Sequence, residues 1–413
     1  MPANGISYYF VLPALFFFMT EAAIPQQIGY TFDGSQKKVE MPFENLNNLI
    51  VIPVQINHLL TLKFILDSGV GNTILTDKIL CDFLHVTLDR KVSIPVVGTK
   101  QNVDVFISHN ADLNLPDIAG KGMNMLVLEE DYLDLRSYLG ENVQGILGNQ
   151  IFNFFAVRID YTSKLVTFID NRHFRPSRQY HVIPVSIENN KPFFNTTITM
   201  DDGRQYRCKL MIDLGASHSI LLGAGKKELL PVPDRCLHVV VGRGLGGDID
   251  GCIGRIDDLG LGGYTLKDIT ASFADEYPAS DTIHDEILQG TLGGDILSRF
   301  NIIFDYAGKR IFLKKNYTFR RPFEYNLSGL QVIASGPDLR RFEVVSCIQG
   351  SPAAKAGVRP GDILLGVNGS DTKYLTLNQI NRTLFSHPGR NLCLKILRNG
   401  EIIKVKFKLV RII

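Results

Sequence analysis

FILDSGVGNTILT, Phe64 to Thr76, runs an apolar stretch into a single carboxylate, turns at Gly69 and returns at once to apolar residues. Alone, Asp-Ser-Gly is ordinary turn composition, and Asp67 reads as the first residue of a turn. The pattern recurs at LMIDLGASHSILL, Leu210 to Leu222, whose Asp213 lies 146 residues after Asp67. Further on, QGILGNQIFNFFAVRIDYTSKLVTF (Gln144 to Phe168) aligns without a gap onto QGTLGGDILSRFNIIFDYAGKRIFL (Gln289 to Leu313), offset by 145, with nine of 25 residues identical. Between them, Asp112-Leu113-Asn114-Leu115 matches Asp258-Leu259-Gly260-Leu261, again at 146. Three anchors at nearly one offset define an internal repeat.

The repeat divides the chain into two lobes, about Asn48 to Asn171 and Lys191 to Lys315, joined by RHFRPSRQYH. Both are rich in short Val, Ile, Thr and Phe runs such as LIVIPVQI, VSIPVVG, AVRIDY and KLVTFI, separated by Gly, Asn and Asp. Such runs read as strands and turns, so the expected class is mainly β, each lobe a small β-barrel. Helical signals are few, the best being the short segment after each Gly-x-Leu-Gly.

This arrangement resembles the pepsin and retropepsin aspartic proteases, in particular bacterial two-lobed members. In that family an apolar strand delivers Asp-Thr/Ser-Gly on a tight loop and a later apolar-apolar-Gly strand crosses beneath it in each lobe. Here the loops are Asp67-Ser68-Gly69 and Asp213-Leu214-Gly215, and the crossing segments are Gly145-Ile146-Leu147-Gly148 and Gly290-Thr291-Leu292-Gly293. The resemblance implies two retropepsin-like lobes and an aspartic-type endopeptidase with Asp67 and Asp213 as its catalytic pair. Peptide hydrolysis with neither metal nor covalent nucleophile needs a base to activate water and an acid to protonate the carbonyl oxygen. Two carboxylates sharing a proton supply one of each. Gly69 and Gly215 carry no Cβ, which lets the two loops approach closely. Whether the lobes pair within one chain or between two copies stays open at this point.

Leu214 departs from the family pattern. Ser68 can send its hydroxyl across to the opposite backbone, as the family's hydroxyl residue does, whereas Leu214 cannot. One of two expected interloop hydrogen bonds is therefore missing, a loss of about 1 kcal/mol. The alternative reading is a catalytically degenerate, two-lobed peptide-binding scaffold. The family also covers its cleft with a glycine-tipped hairpin. SIPVVGTKQNVDVFI places Gly98 at a tip in lobe 1, and VVVGRGLGGDIDGCIGRI offers Gly244 at the matching position in lobe 2, 146 residues later. An ordinary hairpin is the competing reading for lobe 1, which lacks the flap tyrosine of pepsins.

After KKNYTFRRPFEYN the pattern changes. Leu327 to Ile413 reads as strands interrupted by a short helix around Pro352 to Ala356 and a longer one around Leu377 to Ser386, an order that resembles a PDZ domain. SPAAKAGVRPGDILLGVNG, Ser351 to Gly369, carries the local signatures. Ser351 can cap a helix, Pro352 fits its first turn, Gly357 its end, and Asn368-Gly369 makes a tight turn. The resemblance implies a groove for an extended peptide beside Gly329, Leu330, Gln331 and Val332, which would bind substrate or partner tails. The competing reading is a strand that only fills the core.

The remaining features exclude other classes. A formal charge of +2 over 413 residues, with no long charged run, marks no nucleic-acid partner. The glycine-rich tract of lobe 2 has no Walker pattern, Ser217-His218-Ser219 lies in no G-x-S-x-G elbow, and no His spacing suits a metalloprotease. Six scattered cysteines form no metal or redox pair, so neither metal nor cofactor is expected. Cys236 with Cys252 is one conceivable bridge, but isolated buried thiols are the reading preferred from spacing. FVLPALFFFM, Phe10 to Met19, is too short to span a bilayer and suits the core of a signal peptide cut after Ala22, with a buried helix or a mis-assigned start as the alternative. The expected mature chain is thus exported, periplasmic or extracellular, without a membrane span.

Overall fold

A computed structural model of the chain describes residues 28–94, 102–223, 230–276 and 288–413. The segment read as a signal peptide, residues 1–22, lies outside them. Each lobe is built on one large sheet, and the strand orders of the two sheets correspond step for step. Lobe 1 runs Glu44–Leu46, Leu49–Ile56, Leu60–Leu66, Val143–Leu147, Thr73–Leu75, Met123–Leu128, Val103–Ala111, Arg90–Ile94. Lobe 2 runs Ser186–Glu188, Lys191–Thr199, Gln205–Ile212, Leu288–Leu292, Ile220–Gly223, Tyr264–Ala274, Gly247–Leu261, Leu237–Gly244. The repeat in the sequence is therefore a repeat of topology.

Local chemistry explains the corresponding turns. Leu46 pairs with Leu49 and Glu188 with Lys191 across two-residue loops, Asn47-Asn48 and Asn189-Asn190, whose four residues all have positive φ. Asn tolerates that region, and the type I′ geometry matches the strands' right-handed twist. The third sequence anchor also finds its cause. Leu113 pairs with Ile56 in lobe 1 and Leu259 with Ile198 in lobe 2, the contacts that fold each sheet back on itself.

In both lobes the strand that delivers the Asp runs parallel to the Gly-x-Leu-Gly strand, with Leu147 opposite Leu66 and Leu292 opposite Ile212. Gly145 and Gly290 permit that crossing, because a Cβ on either would strike the backbone of the neighbouring strand, at Ile74 O or Leu221 O. A third, six-stranded antiparallel sheet joins the lobes: His181–Pro184, Arg310–Lys315, Phe300–Asp305, Phe155–Asp160, Leu165–Asp170 and Lys38–Pro42. Its central register, Val157 opposite Phe304, stitches one lobe to the other, so the lobes pair within one chain. One apolar core runs through both, with Phe64, Leu66, Phe152, Ile212, Leu214 and Phe304 fully or almost fully buried.

The C-terminal domain has its own core, including Leu330, Phe342, Leu364, Leu377, Ile380 and Leu394. Its helices are Pro352–Lys355 and Leu377–Leu384. Ser351 Oγ accepts Ala354 N–H at 3.3 Å, and Thr376 forms a capping box with Gln379. This domain is anchored on lobe 2, where Arg255 donates to Ile413 O at 3.2 Å, and Ile413 packs with Leu221, Val241 and Ile253.

The cysteines correct the sequence reading in part. Cys236 and Cys252 form a disulfide with Cα atoms 5.7 Å apart, within the ordinary range, because the hairpin register brings the start of one strand beside the middle of the next. Cys81, Cys208, Cys347 and Cys393 are free thiols, the first two buried.

Candidate active site

Each Asp sits at the end of its strand and is fixed by the crossing strand: Asp67 N–H donates to Leu147 O and Asp213 N–H to Leu292 O, both at 3.0 Å. Below them, Asn149 N–H reaches Val70 O at 2.8 Å and Gly294 N–H reaches Ala216 O at 2.6 Å. Asp67 and Asp213 meet at the lobe interface, each carboxylate against the loop glycine of the other lobe. The loop glycines allow it. A Cβ on Gly69 would lie 2.8 Å from Asp213 Cγ, and one on Gly215 would overlap the Asp67 carboxylate. The glycines argued from the repeat are thus sterically obligatory here.

The two carboxylates differ in their surroundings. Burial pushes both upward from the ordinary carboxylate range, and the Lys191 charge only partly offsets this. Asp67 Oδ1 accepts Gly69 N–H at 2.5 Å and Val70 N–H at 3.3 Å, which stabilise its charged form. Asp213 accepts one such bond, from Gly215 at 2.9 Å, and feels the Asp67 charge, so it is raised well above the usual range. The two therefore titrate as a coupled pair, in which Asp67 has the more amide donors to its charged form.

Ser68 spans the interface. Its fully buried Oγ donates to Ile212 O at 2.8 Å and accepts Leu214 N–H at 3.0 Å. Leu214 returns nothing across the interface and instead lies fully buried in the shared core. The 3.0 Å anchors of the two Asp amides are nevertheless equal. The Leu214 side chain is absorbed as packing.

The lobe 2 hairpin reaches across the molecule. Gly244 lies opposite Gly247 beside the tip, but the residue in the left-handed region is Gly247, at φ +98, so the turn conformation expected of Gly244 belongs to its neighbour. Leu245 at the tip packs into the lobe 1 cluster of Ile74, Val105 and Ile146, which also holds Val70, next to the Asp67 loop. The hairpin thereby bridges the two lobes beside the carboxylates. Gly98, the matching residue of lobe 1, lies outside the described residues.

Three supporting contacts are not evident from the motifs. Asn149, fully buried, donates from Nδ2 to Ser68 O at 3.4 Å. Ser219 Oγ bonds Asp295 at 2.6 Å, and His218 Nε2 bonds Thr291 Oγ1 at 2.7 Å, with burial pushing the imidazole down to about 4. Their signal was the polar residues where the two repeats differ, Asn149-Gln150 against Gly294-Asp295 and Asn72 against His218. In the C-terminal domain, the strand Leu330–Ser335 carries Leu330 and Val332 inward and Gln331 outward. The Gly329 and Leu330 amides are already engaged, by Asn326 Oδ1 at 2.9 Å and Ser328 Oγ at 3.2 Å. Among the described residues no group of three or more His, Cys, Asp or Glu could hold a metal ion, and no helix is long and apolar enough to cross a membrane.

Residues 52–151 and, again, 196–296 match the aspartyl protease family, and residues 343–398 match the PDZ domain family. The chain therefore carries a doubled aspartyl protease domain followed by a PDZ domain. Among curated proteins, a carboxyl-terminal-processing protease of Synechocystis sp. is 31% identical over 83 residues. That stretch is 20% of this chain and 19% of the relative, so the likeness spans about a fifth of either.

Proposed function

We propose that the protein is an aspartic-type endopeptidase in which Asp67 and Asp213 share one proton around a water molecule. The observation that carries this reading is the facing pair, each carboxylate pressed on the other lobe's loop glycine. Asp67, charged and held by two loop amides, takes a proton from the attacking water, while Asp213 gives its proton to the peptide carbonyl oxygen. Collapse of the tetrahedral intermediate then breaks the C–N bond, with a proton passing to the leaving nitrogen. Protein or peptide chains are the substrates, and the bridging hairpin lines the cleft. An exported, oxidising setting accompanies the proposal, supported by the Cys236–Cys252 disulfide and the apolar run at Phe10 to Met19.

The test is cleavage of an unfolded protein across roughly pH 3 to 8, the range in which a carboxylate pair can hold one proton. Wild type should cut, and Asp67→Asn and Asp213→Asn should each lose about a thousandfold or more in rate. Activity surviving in both variants, or absent from the wild type at every pH, would sink the reading. Peptide affinity retained alongside absent cleavage would instead favour the degenerate scaffold, for which Leu214 is the motive.

A further inference from the structure

Among the described residues, the strand Leu330–Ser335 is an edge strand, paired only with Arg341–Cys347. Its free side, with the helix Leu377–Leu384, forms the groove into which a PDZ-type domain takes an extended peptide. In this chain lobe 1 already sits there. The short helix Leu135–Leu139 packs against the strand. Gly140, which ends that helix at φ +65, lies so near the groove helix that a Cβ on it would come within 2.5 Å of Leu377 Cβ. Asn378, the next residue of the groove helix, donates from Nδ2 to Asn45 O of lobe 1 at 3.1 Å.

The other side of the same lobe 1 segment holds the bridging hairpin. Arg243, one residue before Gly244, donates to Tyr138 Oη at 3.3 Å and to Tyr132 O at 3.4 Å, and its guanidinium lies 5.3 Å from the centroid of the Tyr138 ring. Leu245 shares an apolar cluster with Leu135. One five-residue helix thus touches the peptide groove on one face and the cleft-covering hairpin on another.

We propose that Leu135–Gly140 is a latch: it occupies the PDZ groove at rest, holds the lobe 2 hairpin down over the cleft, and is displaced by an extended peptide that adds to the Leu330–Ser335 edge. Displacement withdraws Tyr138 from Arg243 and lets the hairpin lift, so groove occupancy opens the cleft. The proposal rests on the protease reading for its catalytic consequence and on geometry alone for its mechanical one. Because the coupling is a property of binding equilibria, weakening the latch must also tighten peptide binding.

The experiment uses the full chain and a library of extended peptides of about ten residues, with peptide affinity, backbone hydrogen exchange and hydrolysis of a short fluorogenic peptide as readouts. Asn378→Ala and Gly140→Ala each loosen the latch at the groove, and Arg243→Ala loosens it at the hairpin. Each should bind the library about tenfold more tightly than wild type. Bound peptide should speed exchange at residues 135–140 and 237–261 in the wild type and raise its hydrolysis several-fold, an increase lost in Arg243→Ala, whose basal rate should already be high. Equal affinities in wild type and all three variants, or binding that leaves exchange at residues 135–140 unchanged, overturns the latch. If affinity and exchange respond while no form hydrolyses, the latch stands and the protease reading falls. Hydrolysis without those responses has the opposite meaning.

Discussion

Replacing Ser68 by Ala tests whether one hydroxyl serves both halves of the interface between the Asp67 and Asp213 loops. The Oγ atom is fully buried, donates to Ile212 O at 2.8 Å and accepts Leu214 N–H at 3.0 Å. Alanine removes the oxygen and leaves a carbonyl and an amide facing each other across the lobe interface. Leu214 has no group that can take over. A buried polar group stripped of its partner costs about 1–3 kcal/mol, and since one oxygen satisfies both groups the expected loss is about 2–4 kcal/mol. The loss belongs to the two-lobed domain and not to the PDZ domain, whose core is separate. Urea unfolding of the full chain, followed by far-UV circular dichroism because there is no Trp, should show the lobe transition moving alone. The catalytic rate should fall about tenfold or more, since the hydroxyl sets the spacing of the Asp loops. Ser68→Thr, which keeps the oxygen, should recover most of both. A lobe transition shifted by less than about 0.5 kcal/mol in Ser68→Ala, with the rate unchanged, would mean that the hydroxyl does not tie the two Asp loops together.

Gly215→Ala should fold with its lobes displaced and lose essentially all hydrolysis, because the added methyl overlaps the Asp67 carboxylate; activity close to wild type would show that the facing geometry is wrong. The pH dependence of stability follows from the upward shift of both carboxylates. Below the ordinary carboxylate range folded and unfolded chains are both protonated; as pH rises, the unfolded chain releases protons first, and stability falls until the folded values are passed. Asp213→Asn removes one of the two raised carboxylates, so its urea midpoint should exceed that of wild type near pH 7 and converge with it near pH 4. Replacing both Cys236 and Cys252 by Ser should cost about 2–3 kcal/mol and raise hydrogen exchange at the base of the lobe 2 hairpin, given the short loop the bridge closes at a separation of 16 residues.

The lobes were legible because duplication puts long-range information into local pattern. Asp67 and Asp213, and Leu113 and Leu259, occupy equal places in two copies, so an offset in the sequence stands for a symmetry in space. The PDZ domain was legible for a different reason, since its Ser351 cap and the Asn368-Gly369 turn are local. Whatever joins parts unlike each other was hidden. Asn378 meets Asn45 across 333 residues, Arg243 meets Tyr138 across 105, and neither pair leaves a period or spacing to read. The disulfide was hidden for a related reason. Its pairing depends on the register of one hairpin, which the cysteine spacing alone does not determine. Leu214 was visible as a departure, but the dual use of Ser68 Oγ was not.

The six-stranded sheet that joins Phe155–Asp160 to Phe300–Asp305 also frees the two halves from having to be copies. In a homodimer every change at one Asp loop is made at both, and losing the hydroxyl would take its loop-to-loop hydrogen bonds from both halves at once. Covalent fusion lets one loop keep the hydroxyl while the other trades it for a core side chain. The single chain also makes assembly of the carboxylate pair a first-order event, so specific activity should stay constant on dilution.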